Sequence, residues 1–144
     1  MKNIKRIFLD ANIYIAALAS PSGPSGRLIK RAVENQFTIV TANFLLLEVE
    51  RNLKKKLPES LPYFYEDISR INFELISKIE PEVVSKYEQI INYKPDSLVL
   101  AACFQSRSKI LVTLDKKHLL KDEVRNSVPF EIIRPENILR KVEK

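Results

Sequence analysis

Two aspartates stand where an apolar run stops. Asp10 closes "RIFLD" and Asp115 closes "ILVTLD". In an open parallel sheet, ligands bind beyond the carboxyl ends of the strands, where loops from several strands project groups into one crevice. Suppose several such carboxylates converge there at separations of about 5 Å: at an effective dielectric of about 20, each ionised pair repels by roughly 3 kcal/mol. They relieve that strain by holding a proton or a hard divalent cation. Mg2+ and Mn2+, which favour octahedral oxygen ligands, are the natural occupants, and zinc lacks the His and Cys it would want. Asp96 lies in the first turn of the most apolar helix, where the macrodipole also welcomes an anion. In "FLLLEVERNL", Glu48 and Glu50 lie at opposite edges of an apolar stripe, so helical projection does not choose between them. Each acid also has an ordinary explanation: a strand-end Asp caps the following helix, and a helical Glu lies on a solvated face.

Bringing such groups together requires strands alternating with helices. "RIFLD" reads as a buried strand and "ANIYIAALA" as a short helix capped by Asp10 or Asn12. "SPSGPSG", residues 20 to 26, holds both glycines and reads as a tight loop. "RLIKRAVEN" then places Leu28, Ile29, Ala32 and Val33 on one helical face, and "FTIVTA" is a second strand. From Asn43 to Leu57, the spacing of Leu45, Val49, Leu53 and Leu57 predicts a helix whose other side carries Lys54, Lys55 and Lys56. Another helix is expected from about Tyr63 to Ser77, with Ile68, Ile71, Leu75 and Ile76 inward. A short third strand is expected at "KIEP" and a helix at "EVVSKYEQIIN". Pro95 opens a helix that is apolar on all sides from Leu98 to Phe104, and so central and covered. "KILVT" and "FEII" are strands, and "PENILRKVE" is a closing helix begun by Pro135. This alternation implies an α/β domain with a mostly parallel sheet, in which "RIFL" and "KILVTL" are central neighbours.

Four segments in chain order, "IFLDANIYIAAL", "FLLLEVERNL", "DSLVLAAC" and "ILVTLD", resemble the four motifs of PIN-domain nucleases. VapC-type toxin ribonucleases are one large branch of that family. Each motif is short, and the resemblance is carried by their joint order and spacing over most of the chain. It implies one PIN-like nuclease domain over residues 1 to 144. The implied fold is a three-layer α/β/α sandwich with a central, mostly parallel sheet of four or five strands. It further implies that Asp10, Glu48, Asp96 and Asp115 line one pocket for one or two Mg2+ or Mn2+ ions. Glu48 rather than Glu50 has the register of the family's glutamate before Val49 and Leu53. Ala11, Ser97 and Leu114 depart from the residues frequent at their positions, leaving the four carboxylates intact.

On this resemblance Asp10 and Asp96 make the principal metal contacts. Glu48 and Asp115 bind metal directly or through water, orient the nucleophile or complete a second site. Asn12 holds a ligand water or the scissile phosphate, unless it caps the first helix, and Ser97 and Thr113 are supporting residues. The expected reaction is endonucleolytic hydrolysis of RNA, with a cation lowering the pKa of the attacking water and neutralising phosphoryl charge. RNA, a small antitoxin that blocks the pocket and a second copy of the chain are the implied partners.

Lys plus Arg is 24 against 18 for Asp plus Glu, a formal charge of +6 that favours a polyanionic partner. Arg27, Lys30, Arg31, Arg51, Lys54, Lys55, Lys116 and Lys117 are candidate phosphate contacts. Tyr63, Phe64 and Tyr65 are expected to pack in the core or at a dimer interface rather than stack on bases. His118, within the polar "DKKHLLKD", is expected to be solvated.

The 144 residues suffice for one core. The longest apolar run, Leu98 to Phe104, is far short of the roughly 20 residues of a membrane helix. Basic residues ahead of an apolar stretch ending in "ALAS" imitate an export signal, but Asp10 and Asn12 interrupt it. Cys103 is the sole cysteine and so has no internal disulfide partner, which suits the cytoplasm. A phosphatase of haloacid-dehalogenase type also begins with a strand ending in Asp and needs Mg2+. It requires a second Asp two residues on, where Asn12 stands. A catalytically silent PIN-like module that binds RNA or protein is the alternative from another class.

Overall fold

The computed structural model describes residues 4 to 142. Its strands are β1 (Arg6–Leu9), β2 (Thr38–Ala42), β3 (Phe73–Ile76), β4 (Ile110–Val112) and β5 (Glu131–Ile133). Ile7, Phe8 and Leu9 are fully buried, as a parallel strand covered on both faces must be. β1 pairs in parallel with β2 on one side and β4 on the other, giving an all-parallel sheet of order β3-β2-β1-β4-β5. The chain moves outward from β1 in one direction, returns, and then moves outward from β4 in the other. The boundary between β1 and β4 is therefore the topological switch point of the sheet.

The helices are α1 (Ala11–Ala19), α2 (Pro24–Val33), α3 (Asn43–Lys56), α4 (Leu61–Arg70), α5 (Pro81–Glu88), α6 (Lys94–Gln105), α7 (Asp122–Arg125) and α8 (Pro135–Val142). By the right-handed rule for parallel crossovers, this strand order sends α1 to α4 to one face of the sheet and α5 and α6 to the other. Packing of α1 against α2 and α3, of α2 against α8, and of α5 against α6 matches that three-layer arrangement. The apolar helix α6 is covered as its composition requires, with Val99, Leu100, Ala101, Ala102 and Cys103 all buried.

Three segments differ from the expectation. The loop expected over residues 20 to 26 is shorter, because Pro24 starts α2 at a position that needs no N–H, with Gly23 extended before it. Gly26 is then helical and presses on the preceding turn, where a Cβ would lie 2.1 Å from the Pro21 carbonyl oxygen. The helix expected to reach Ser77 stops at Arg70, and the chain straightens into β3. There the exposed backbone edge of β2 supplies ladder partners from Ile39 to Ala42, and Glu74 accepts from Arg6 Nε at 2.9 Å. Leu75, expected inward, is 52% exposed. The third strand is thus β3 rather than "KIEP". The backbone of that later segment is satisfied by a side chain instead: Gln105 accepts from the Glu80 N–H and donates to the Lys78 carbonyl.

Candidate functional site

Asp10 leaves β1 with its N–H bonded to the Val112 carbonyl at 3.0 Å, so its backbone extends the β1–β4 ladder by one rung. One carboxylate oxygen accepts from the Ala11 N–H at 2.8 Å and caps α1. The other accepts from the Thr113 hydroxyl at 2.8 Å and from Asn12 Nδ2 at 3.3 Å. Thr113 is fully buried, and its Oγ1 also accepts from the Asp115 N–H at 3.1 Å. Asn12 Oδ1 accepts from the Leu114 N–H at 3.2 Å. The helix cap is therefore Asp10 rather than Asn12. Asn12 fastens the loop after β1 to the loop after β4.

Asp96 arrives from the opposite layer, in the first turn of α6. Its Oδ2 is buried with no hydrogen-bond partner among the described residues. Asp115 follows β4, and its Oδ1 accepts from the His118 N–H at 3.0 Å. Glu48 projects half-buried from α3. The rival Glu50 is engaged elsewhere, accepting a hydrogen bond from the Tyr65 hydroxyl on α4.

The electrostatics link Asp10 to Asp96 and Glu48, and Asp96 to Asp115 and Glu48. Burial pushes the Asp10 carboxyl up to about 6; the charges of Asp96 and Glu48 push the same way, while bonds from Thr113 and Ala11 oppose them. Burial also pushes Asp96 up to about 6, helped by Asp115 and Glu48 and opposed by His118. Glu48 is raised by burial against the pull of Arg51. Buried carboxylates that repel one another, one with an orphaned oxygen, make a donor set suited to a hard divalent cation. Asp10, Glu48, Asp96 and Asp115 are the residues available to hold it.

His118 keeps 37% of its side chain exposed, as a solvated residue would, but its ring faces the acids. Its Nδ1 lies 3.6 Å from Asp96 Oδ2 and 3.5 Å from Asp115 Oδ2, and its ring stacks on Tyr93 with centroids 5.5 Å apart. The polar sequence around His118 hid this, because Asp96 and Tyr93 lie at the start of another element, α6. Ser97 is fully buried, and its hydroxyl donates to the Ile91 and Tyr93 carbonyls rather than to the acids. It braces the turn that carries Tyr93.

Among the basic candidates, Arg51 acts electrostatically on Glu48, and Lys116 and Lys117 follow immediately after Asp115. Lys54 and Lys55 are exposed in the last turn of α3, roughly 10 Å along the axis from Glu48. Arg27 and Lys30 lie on α2, and Arg31 pairs with Glu34 at 2.9 Å. Of the aromatic trio, Phe64 is buried in the core, whereas Tyr63 is 66% exposed.

The fold has clear counterparts among solved structures. PAE2754 from Pyrobaculum aerophilum superposes with a TM-score of 0.67 at 14% identity, over 99% of this chain and 94% of that one. VapBC2 from Rickettsia felis, solved bound to a DNA fragment from its promoter, superposes with a TM-score of 0.64 at 19% identity, over 90% and 98%. No curated protein matches the chain in sequence. The family model of the PIN domain matches residues 6 to 117, a span that runs from β1 past Asp115. The chain belongs to the PIN-domain family.

Proposed function

We propose that this chain is a single-domain, metal-dependent endoribonuclease of the VapC toxin type. The observation that carries the reading is the acid group beside the β1–β4 switch point: Asp96 and Asp115 offer ligand atoms within 4.8 Å of each other, and the charges of Asp96 and Glu48 act on the buried Asp10. PIN domains are generally nucleases, which supports a hydrolase. A Mg2+ or Mn2+ ion held there would polarise a phosphodiester and lower the pKa of an attacking water. The chain's own residues do the rest. Asp10 and Asp96, both nearly buried, present oxygens in a place where water competes poorly. Thr113 and Asn12 fix the Asp10 carboxylate, leaving Glu48 and Asp115 at the more open rim to accept a proton or orient the nucleophile. In this reading Arg51, whose charge acts on Glu48, and the exposed Lys116 and Lys117, which follow Asp115 in the chain, neutralise backbone phosphates.

An antitoxin partner is supported by the likeness to VapBC2, and a homodimer by the exposed Leu47 on α3 and Tyr63 and Tyr65 on α4. The test is cleavage of structured and single-stranded RNA by wild type and Asp96→Asn, each with Mg2+, Mn2+ or EDTA. Wild type should cleave only with an ion, and the variant should lose at least about a hundredfold, the usual scale for removing charge stabilisation at a reacting centre. Cleavage in EDTA, or full activity in the variant, overturns the mechanism. RNA binding without cleavage points instead to a silent module.

A further inference from the structure

We propose that His118 is itself a metal-ligating residue, so that Asp96, Asp115 and His118 form a mixed oxygen and nitrogen site that prefers Mn2+ to Mg2+. The inference rests on the cation-binding reading above and specifies which ion it favours. One donor atom from each of the three residues lies within 4.8 Å of the other two. Opposite ligands of an octahedral ion with bonds of about 2.1 Å stand about 4.2 Å apart, and adjacent ones closer, so this spacing needs little adjustment. The Nδ1 separations of 3.5 and 3.6 Å from the two carboxylates exceed a normal hydrogen bond. The imidazole therefore faces both acids without being bonded to either. Asp96 Oδ2, the oxygen it faces, is the buried atom left without a hydrogen-bond partner among the described residues, in a residue that is 8% exposed overall.

The ring is also held in place. Tyr93 lies against it with the planes 15° apart, and the Tyr93 carbonyl is bonded by the buried Ser97 hydroxyl one turn into α6. The His118 backbone N–H is bonded to Asp115 Oδ1 at 3.0 Å, which ties the residue's main chain to the same acid. An imidazole stacked on a ring, carried on a tethered backbone and aimed at two carboxylates loses little freedom on binding an ion. Mg2+ is small, dehydrates reluctantly and keeps to oxygen donors, whereas Mn2+ opens the first-row series whose later members favour imidazole, so between these two ions a nitrogen donor favours Mn2+.

The measurement is made on metal-stripped full-length protein near neutral pH. Mn2+ and Mg2+ are titrated by calorimetry, and pulsed electron paramagnetic resonance of the Mn2+-loaded protein is read for nitrogen modulation from an imidazole. Wild type should show that modulation and bind Mn2+ more tightly than Mg2+. His118→Ala should abolish it and weaken Mn2+ binding by about tenfold, with Mg2+ changed no more than about twofold. His118→Gln, with melting curves for both variants, separates lost ligation from lost folding. Mn2+ bound to wild type without nitrogen modulation, or an equal loss for both ions in the variants, overturns the proposal while leaving the carboxylate site standing. If neither ion binds wild type, this inference and the reading beneath it fall together.

Discussion

Thr113 has no exposed surface, yet its hydroxyl donates to Asp10 and accepts from the Asp115 backbone and from Asn12. Thr113→Val keeps the shape and deletes those bonds, leaving a buried carboxylate oxygen and a backbone N–H less satisfied. A loss of about 1–3 kcal/mol in denaturant unfolding is expected. Asp10 itself acts in the opposite sense. Its folded-state carboxyl is raised from 3.8 to about 6, so the folded protein holds that proton more tightly than the unfolded chain does. Stability is then greatest below the unfolded value and falls as pH rises through about 6, by on the order of 3 kcal/mol for a shift of this size. The metal-free melting temperature should therefore climb as pH is lowered from neutral towards 5. Asp10→Asn, which still caps α1, should be more stable than wild type at neutral pH while losing activity. A metal-free melting curve flat across that range would contradict the buried, repelling geometry.

At the scale of elements, the start of α2 depends on a glycine inside a helix. Ala is ordinarily the better helix former by about 1 kcal/mol. At position 26 the added Cβ would lie 2.1 Å from backbone, so Gly26→Ala should instead lower the unfolding midpoint. That close approach was not visible in the sequence, which showed a run of Ser, Pro and Gly and suggested an irregular loop. Elements with a long or unbroken apolar signal were legible: β1, α3 and α6 lie where their spacing put them. Residues 71 to 77 were not, because four or five apolar positions satisfy a helical face and a short strand equally well. The free edge of β2 decided between them. The site was legible in part for a related reason. Asp10 and Asp115 announced themselves by ending apolar strands, but Glu48 and Glu50 project to opposite edges of one stripe. What separates them in the structure is tertiary: Tyr65 engages Glu50, while the charge of Glu48 reaches Asp10 and Asp96. His118 needed Tyr93 and Asp96, both at the start of α6, to be seen as anything but a surface residue.

Taken as a whole, the chain carries +6 while burying two of its acids, Asp10 and Asp96, so its outer surface is more basic than the total suggests. On the proposed reading, RNA affinity should fall steeply with salt. Replacing Lys116 and Lys117 by Ala should reduce the slope of log affinity against log salt by about one for each phosphate no longer neutralised. An unchanged slope would move the nucleic-acid path away from the loop after β4. Among the described residues no helix is long and apolar enough to cross a membrane. Finally, the central strand β1 comes from the start of the chain, and its second neighbour, β4, from residues 110 to 112. Asp10 therefore meets Asp115 only across a ladder that needs β4: a chain stalled ahead of Ile110 has neither the second wall of the crevice nor its last acid, and the acid group stays unmade until those residues follow.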